Sequence, residues 1–325
     1  MGLGRGNALR GSRLASARPG GSRGARLGTA YGGGTRSARR WRPIEQKEGV
    51  VTEAISSVSS TVGGAEAPLY LPVGDETEVF AAAWRSGLPI LLKGPTGCGK
   101  TRLVEHMVHR FGVPLFTVSC HEDMTASDLL GRYLLVGGDT RWVDGPLTRA
   151  VREGGICYLD EVVEARQDAI VAIHSLTDHR RQLSLERLGG TLLSAAPGFQ
   201  LVVSYNPGYQ SVLKDLKAST RQRMVAIELG FPPAEIERKI LIEESGISDV
   251  EADNLIRLGQ AIRRLDDAGL CEVASTRTLI AAAALMQQGL SFRTATIAAI
   301  AGPLTDDPGL RGGLVSLLDA YSTTG

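Results

Sequence analysis

From Leu69 onward the chain alternates short, nearly unbroken apolar runs with longer stretches in which apolar residues recur every three or four positions. A run of four to six large or β-branched residues without polar alternation fits a strand covered on both faces. This pattern predicts strands at 90–93, 115–119, 156–159, 200–205 and 225–229, and the intervening helical spacing predicts an α/β domain around a mostly parallel five-stranded sheet. Beyond Pro232-Pro233 only the helical spacing remains, with helices expected at 235–245, 250–265, 276–288, 292–301 and 310–321. Residues 1–64 show neither period, being rich in Gly, Arg, Ser and Ala, and such a segment buries too little to offset the entropy of ordering itself. The expected organisation is a disordered tail over 1–64, an α/β domain over 65–231 and a small all-helical domain over 232–325.

Charge changes the picture of the tail. Residues 1–44 carry ten Arg and no acid, which leaves 26 basic against 35 acidic residues in the rest, a net charge of −9 for the body. An acidic body is a poor general binder of phosphate backbones, so nucleic acid is not expected as a partner. The tail itself fits a solvated extension, an organelle transit peptide, or translated sequence upstream of the true start. The change of composition at Val51-Thr52-Glu53-Ala54, where a GTG codon would supply the first Met, favours the third. The four cysteines, Cys98, Cys120, Cys157 and Cys271, form no CxxC pair and suggest neither a disulfide framework nor a zinc knuckle. A reducing, cytoplasmic setting fits them. No apolar run approaches the roughly 18–20 residues that span a bilayer, so membrane insertion is not expected.

The chemistry-bearing residues begin at Gly94-Pro95-Thr96-Gly97-Cys98-Gly99-Lys100-Thr101, a GxxxxGK[ST] pattern with a predicted buried strand before it and a helix after it. A glycine-rich turn that carried Lys-Thr by chance would not need those flanks. The loop's N–H groups and the helix N-terminus direct partial positive charge at a polyphosphate, Gly97 and Gly99 allow close backbone approach, Lys100 meets the β/γ-phosphates, and Thr101 offers a hydroxyl to Mg²⁺. The strand at 156–159 runs into Asp160-Glu161, as a second phosphate-site element requires: Asp160 for the Mg²⁺ shell and Glu161 to polarise the attacking water. Cys98 has two readings, a thiol with a lowered pKa that is open to oxidation, or simply a small residue. His106 and His109 lack a third ligand, and the histidines are read as non-functional.

With these motifs the chain from Leu69 to about Tyr321 resembles the MoxR-type AAA+ ATPases, specifically the CbbQ/NirQ/NorQ group. The resemblance rests on the stretch from Leu91 to Thr101, on Asp128-Leu129-Leu130-Gly131-Arg132-Tyr133, on Trp142-Val143-Asp144-Gly145-Pro146-Leu147 and on Ser219-Thr220-Arg221-Gln222-Arg223. It implies ATP hydrolysis with Mg²⁺ in a homo-oligomeric ring, a hexamer, in which Arg221 and Arg223 reach the neighbouring subunit's γ-phosphate as arginine fingers. It also implies that Asn206 positions the attacking water and that Arg277 reports nucleotide state to the lid. An ordinary Asn-Pro turn would give the same local shape at Asn206, and a basic loop would do so at Arg221 and Arg223. An Arg at a helix start opposes the helix dipole, which argues against a purely local role for Arg277.

The segment 134–142 reads as a β-hairpin with a Gly-Gly-Asp turn and resembles an insertion that faces the ring opening. The segment 182–193, around Gly189-Gly190, resembles a second hairpin before the first sensor. Tyr133 and Trp142 could grip a partner or pack on their own hairpin. Three function classes follow. The resemblance implies an ATP-driven remodelling chaperone that activates a metalloenzyme, ribulose bisphosphate carboxylase or nitric oxide reductase, together with a von Willebrand A domain protein. A DNA-directed AAA+ protein is disfavoured because the Gly-Ala-Phe-Thr-Gly-Ala loop of such activators and a helix-turn-helix are absent and the body is acidic. A scaffold that binds ATP without hydrolysing it is disfavoured by Asp160, Glu161, Arg221 and Arg223.

Overall fold

A computed structural model describes residues 60–61, 67–207, 216–265 and 272–322, all within one compact unit, Thr52–Gly325. The readings of residues 1–59 and 62–64 and of Cys271 lie outside the described residues. In chain order the first elements are β1 (Ser60–Thr61), α1 (Glu76–Arg85), β2 (Ile90–Lys93), α2 (Lys100–Phe111), β3 (Leu115–Ser119) and α3 (Ala126–Leu130). A hairpin, β4 (Gly131–Val136) with β5 (Asp139–Asp144), leads to α4 (Pro146–Glu153), β6 (Ile156–Asp160) and α5 (Gln167–Ala172). A second hairpin, β7 (Gln182–Leu185) with β8 (Thr191–Ser194), precedes β9 (Gln200–Tyr205), α6 (Ala218–Arg221) and β10 (Val225–Glu228). Helices follow: α7 (Ala234–Ser245), α8 (Asp249–Arg263), α9 (Thr276–Gln287), α10 (Phe292–Thr296), α11 (Gly302–Leu304) and α12 (Pro308–Ser322).

The main sheet has the order β1-β3-β6-β9-β2-β10. β3, β6, β9, β2 and β10 run parallel, as the unbroken apolar runs predict, with Leu91 opposite Val203 and Ala226, and Leu159 opposite Val118 and Val203. β1 adds an antiparallel edge through Ser60 opposite Phe116. The sequence reading placed Ser60 and Thr61 in the tail, because two residues carry no period; they join the sheet only because the edge of β3 offers unpaired backbone groups.

Alternation along each strand sends side chains to two cores. Leu91, Phe116, Cys157, Leu159, Leu201 and Val203 face Leu129, Leu147, Ala150 and Val151 on one side. Ile90, Leu92, Ile156, Tyr158 and Val202 face Phe80, Leu103, Val104 and Met107 of α1 and α2 on the other. Each fully buried leucine contributes roughly 1.5–3 kcal/mol of burial, so the sheet is a rigid platform for the loops at its carboxyl edge. A third core, built on Leu241, Leu255, Leu258, Leu279 and Ile300, joins the helices after β10. Among them α8 opens on a capping box of Ser248 and Glu251, and α9 on Ser275, whose hydroxyl accepts the Thr278 N–H.

Both insertions are hairpins. In the first, Val136 pairs with Asp139, which makes Gly137-Gly138 the turn, at φ 61° and 88°. Two successive positive φ angles are the backbone of a type I′ turn and explain why glycine stands at both positions. Tyr133 and Trp142 are cross-strand partners with ring centroids 5.2 Å apart, edge to face. Trp142 Nε1 donates to Asp144 at 2.6 Å, and Asp144 also receives Arg152 of α4. Trp142 therefore packs on its own hairpin, whereas Tyr133 and Leu135, two residues apart on one strand, are 50% and 75% exposed.

Candidate active site

β2 lies between β9 and β10, and β9 separates β2 from β6. That order places the loop after β2, the end of β9 and the end of β6 side by side at one edge of the sheet. A cleft of about 1020 Å³ opens there, lined by Thr96 to Thr101, Asp160 and Glu161 from the sheet side and by Thr276 and Arg277 from α9. Gly97 has φ 73°, and a Cβ on it would lie 2.6 Å from Ser275 Cβ, so the loop meets the start of α9 where only glycine fits. Arg102 of α2 and Glu244 of α7 pair at 3.3 Å across the same opening.

Lys100 is buried, and its ammonium donates to the carbonyls of Gly94 at 2.7 Å and Pro95 at 2.9 Å. Gly94 and Pro95 hold the lysine from behind and do not themselves line the cleft. Asn206 Nδ2 donates to Thr96 Oγ1 at 3.3 Å, which ties the end of β9 to the loop. Cys98 departs from the lowered-pKa reading. Burial pushes its thiol above the usual range, and the charges of Lys100 and Arg277 only partly oppose this, so it is a small buried residue rather than an activated thiol.

The carboxylate side is organised by two residues that sequence reasoning passed over. Tyr158 donates to Asp160 Oδ1 at 2.7 Å, and the Ser204 hydroxyl donates to the same oxygen. Ser204 Oγ in turn accepts the Glu161 N–H at 3.1 Å. Glu161 adopts φ 55°, a left-handed conformation unusual for a residue with a Cβ, and this bond helps hold it there. Both residues had a signal. Tyr158 stands two positions before Asp160 and Ser204 two before Asn206, so each polar group faces the same side of its strand as the candidate site residue.

Thr101 Oγ1 lies 3.4 Å from the Tyr158 hydroxyl. A hydroxyl and a carboxylate therefore converge on one polar spot beside the loop, hard oxygen donors of the kind that Mg²⁺ accepts alongside phosphate oxygens and water. Tyr158→Phe keeps the ring's packing and removes one donor to Asp160. The expected result is an about tenfold higher Mg²⁺ requirement for half-maximal ATPase rate, as a hydrogen bond to a charged group is worth about 1.5–3 kcal/mol. An unchanged Mg²⁺ titration would remove Tyr158 from the site.

Arg277 is exposed within the cleft, whereas Arg221 and Arg223 do not line it. Arg221 ends α6, and Arg223 precedes β10. The buried Thr220, just before Arg221 in α6, meets His174 Nε2 at 3.0 Å, and burial together with the charges of Arg223 and Lys217 lowers the His174 pKa. Farther along the cleft, Tyr70, Val73 N–H and Gly74 N–H all donate to the carboxylate of Glu76, which folds that wall. Burial opposes ionisation of Glu76, but these donors outweigh it and its pKa lies below the usual value.

Among the described residues no helix is long and apolar enough to cross a membrane. Two family models match the chain: the AAA domain of the dynein-related subfamily over residues 89–224 and the CbbQ/NirQ/NorQ C-terminal model over 237–321. The chain is 58% identical over 254 residues to the denitrification regulatory protein NirQ of Pseudomonas aeruginosa, spanning 78% of this chain and 97% of that protein. It is 56% identical to the protein NorQ of Paracoccus denitrificans, over 79% of this chain and 95% of that one. With the protein CbbQ of Hydrogenophilus thermoluteolus it shares 53% identity, over 75% and 91%. A matched AAA domain, a matched C-terminal model and relatives covered almost from end to end place the chain in the CbbQ/NirQ/NorQ family of MoxR-type AAA+ ATPases.

Proposed function

We propose that this ATPase is a remodelling chaperone that works as a homo-oligomeric ring, a hexamer, in the cytoplasm. Its target is a metalloenzyme, nitric oxide reductase or ribulose bisphosphate carboxylase, recognised with a partner that carries a von Willebrand A domain. The observation that carries the reading is the convergence of the phosphate loop, the two carboxylates and Arg277 on one cleft between sheet and helices, with Asn206 bonded to Thr96 of that loop. Family membership supports the target class, since one relative bears the name of a denitrification regulatory protein.

In this reading the N–H groups of residues 96–101 and the Lys100 ammonium hold the triphosphate of ATP. Thr101 and Asp160 would hold Mg²⁺, which would supply charge neutralisation at the phosphates. Glu161 polarises the attacking water, and Asn206, braced on Thr96, orients it. Arg277 meets the nucleotide from the lid. Arg221 and Arg223, away from the cleft of their own chain, serve the neighbour's. The 65–231 and 232–325 division then has a mechanical meaning, with nucleotide gripped between two bodies joined at Pro232-Pro233.

A remodeller must couple nucleotide state to its partner, and coupling is reciprocal. ATP affinity should therefore change about fivefold or more when the von Willebrand A partner is added, the usual size of such couplings, and a low basal ATPase rate is expected to rise on the same addition. In this reading the first hairpin faces the ring opening, and its most exposed large hydrophobic side chains, Tyr133 and Leu135, make the contact. Replacing Tyr133 and Leu135 by Ala should abolish reactivation of inhibited target enzyme while basal hydrolysis stays within about twofold, because neither residue touches the cleft. Full reactivation by that double variant would reduce the hairpin to an ordinary surface feature.

A further inference from the structure

Glu237 of α7 is a fully buried acid, 0% exposed, that no step above employs. Its carboxylate accepts Arg263 Nη2 at 2.7 Å and Nη1 at 2.9 Å from α8, and Thr276 Oγ1 at 2.7 Å from α9. Arg263 also donates Nε to the Ala274 carbonyl at 2.7 Å, and its guanidinium lies 4.1 Å from the centre of the Phe231 ring. Phe231, Thr276 and Arg277 all line the nucleotide cleft. One carboxylate thus joins three helices to two parts of the cleft wall.

Stability does not explain this arrangement, because a well-packed apolar trio is commonly as stable as a buried ion pair. A fork of two parallel hydrogen bonds differs from apolar packing in fixing direction. Thr276 is the first residue of α9, directly after the capping Ser275 that abuts Gly97. A bond from its hydroxyl to a carboxylate anchored on two other helices sets the angle at which α9 begins, and Arg277 follows at the next position. We propose that Glu237 is a positioning residue for nucleotide discrimination. Through Thr276 it aims Arg277 at the nucleotide, and through Arg263 it holds Phe231, so that both parts of the wall respond as one body to the presence of a γ-phosphate. This inference rests on Arg277 acting as the lid's nucleotide sensor.

The test measures equilibrium binding of ADP and of adenylyl imidodiphosphate, a non-hydrolysable ATP analogue, to the full chain. Arg277→Ala should weaken the analogue about tenfold and leave ADP within about twofold, the scale of one lost charge-assisted contact. Thr276→Val, which keeps shape and leaves the ion pair intact, should reproduce that selective loss, and Thr276→Ser should restore it. Thr276→Val combined with Arg277→Ala should be no weaker than Arg277→Ala alone, since Thr276 acts through Arg277. Arg263→Lys replaces the fork with a single point of contact and supplies a second variant should Thr276→Val not fold; the analogue should again lose more than ADP. Equal losses for both nucleotides, or additive losses in the double variant, would overturn the proposal while Arg277→Ala remains selective. An Arg277→Ala that does not discriminate the two nucleotides would overturn the sensor assignment itself, and this inference with it.

Discussion

Replacement of both Arg221 and Arg223 by Ala is expected to leave ATP binding intact and slow hydrolysis by about 10³–10⁵, the worth of an arginine finger in P-loop enzymes. The geometry behind this expectation is a contrast. Arg277 lines the cleft of its own chain, while Arg221 and Arg223 lie at the end of α6 and before β10, outside it. In the proposed reading, fingers that miss their own nucleotide would act across a head-to-tail interface, which gives a ring where its rotation closes. Mixing makes the point testable. A Lys100→Ala subunit has fingers but no nucleotide, and an Arg221→Ala/Arg223→Ala subunit has nucleotide but no fingers. In a random equal mixture about a quarter of the interfaces unite an intact Lys100 with intact fingers next door. Two inactive preparations should therefore regain activity on mixing and subunit exchange. Mixed rings that stay silent, shown by size to be mixed, would return both arginines to a local role.

How much of this was legible in the sequence depends on what each feature needs. The parallel strands were readable because a strand buried on both faces must be apolar almost throughout, and Ile156 to Leu159 or Gln200 to Tyr205 admit little else. The Gly137-Gly138 turn was readable because two positive φ angles in succession select glycine. The phosphate loop was readable because backbone approach and a single cation dictate residue types at fixed offsets. Partnerships across the fold were not. Glu237 stands in Ala234-Glu235-Ile236-Glu237-Arg238-Lys239, which looks like a solvated helical face, and only the packing of α8 and α9 against α7 turns that acid inward. Ser204 and Tyr158 read as ordinary strand residues until the β6–β9 register sets Leu159 opposite Val203 and so brings Ser204 to Asp160. Cys98 kept two readings in the sequence, and the structure supports the small buried residue, because proximity to a helix N-terminus is visible in sequence and burial is not.

Lys100→Ala and Glu161→Gln should separate nucleotide capture from chemistry. The Lys100 ammonium is buried and now satisfied by the Gly94 and Pro95 carbonyls, so it is held at the loop ready to exchange those acceptors for phosphate oxygens. Two charge-assisted bonds at about 1.5–3 kcal/mol each imply that Lys100→Ala weakens ATP binding by roughly 10²–10⁴. Glu161 presents a different case. It lines the cleft from the sheet side, and the contact that holds its left-handed backbone is its own N–H on Ser204, which a change of side chain leaves in place. Glu161→Gln is nearly isosteric and keeps Asp160, Thr101 and Lys100, so ATP should bind with parent-like affinity. What it loses is a general base, worth typically 10²–10⁴ in rate. Titration with a fluorescent ATP derivative and single-turnover hydrolysis, run on both variants, read the two quantities separately. Undiminished affinity in Lys100→Ala would sink the phosphate-loop assignment. A Glu161→Gln protein that cannot bind ATP would make Glu161 a structural residue whose strained backbone, and not its carboxylate, is what the site requires.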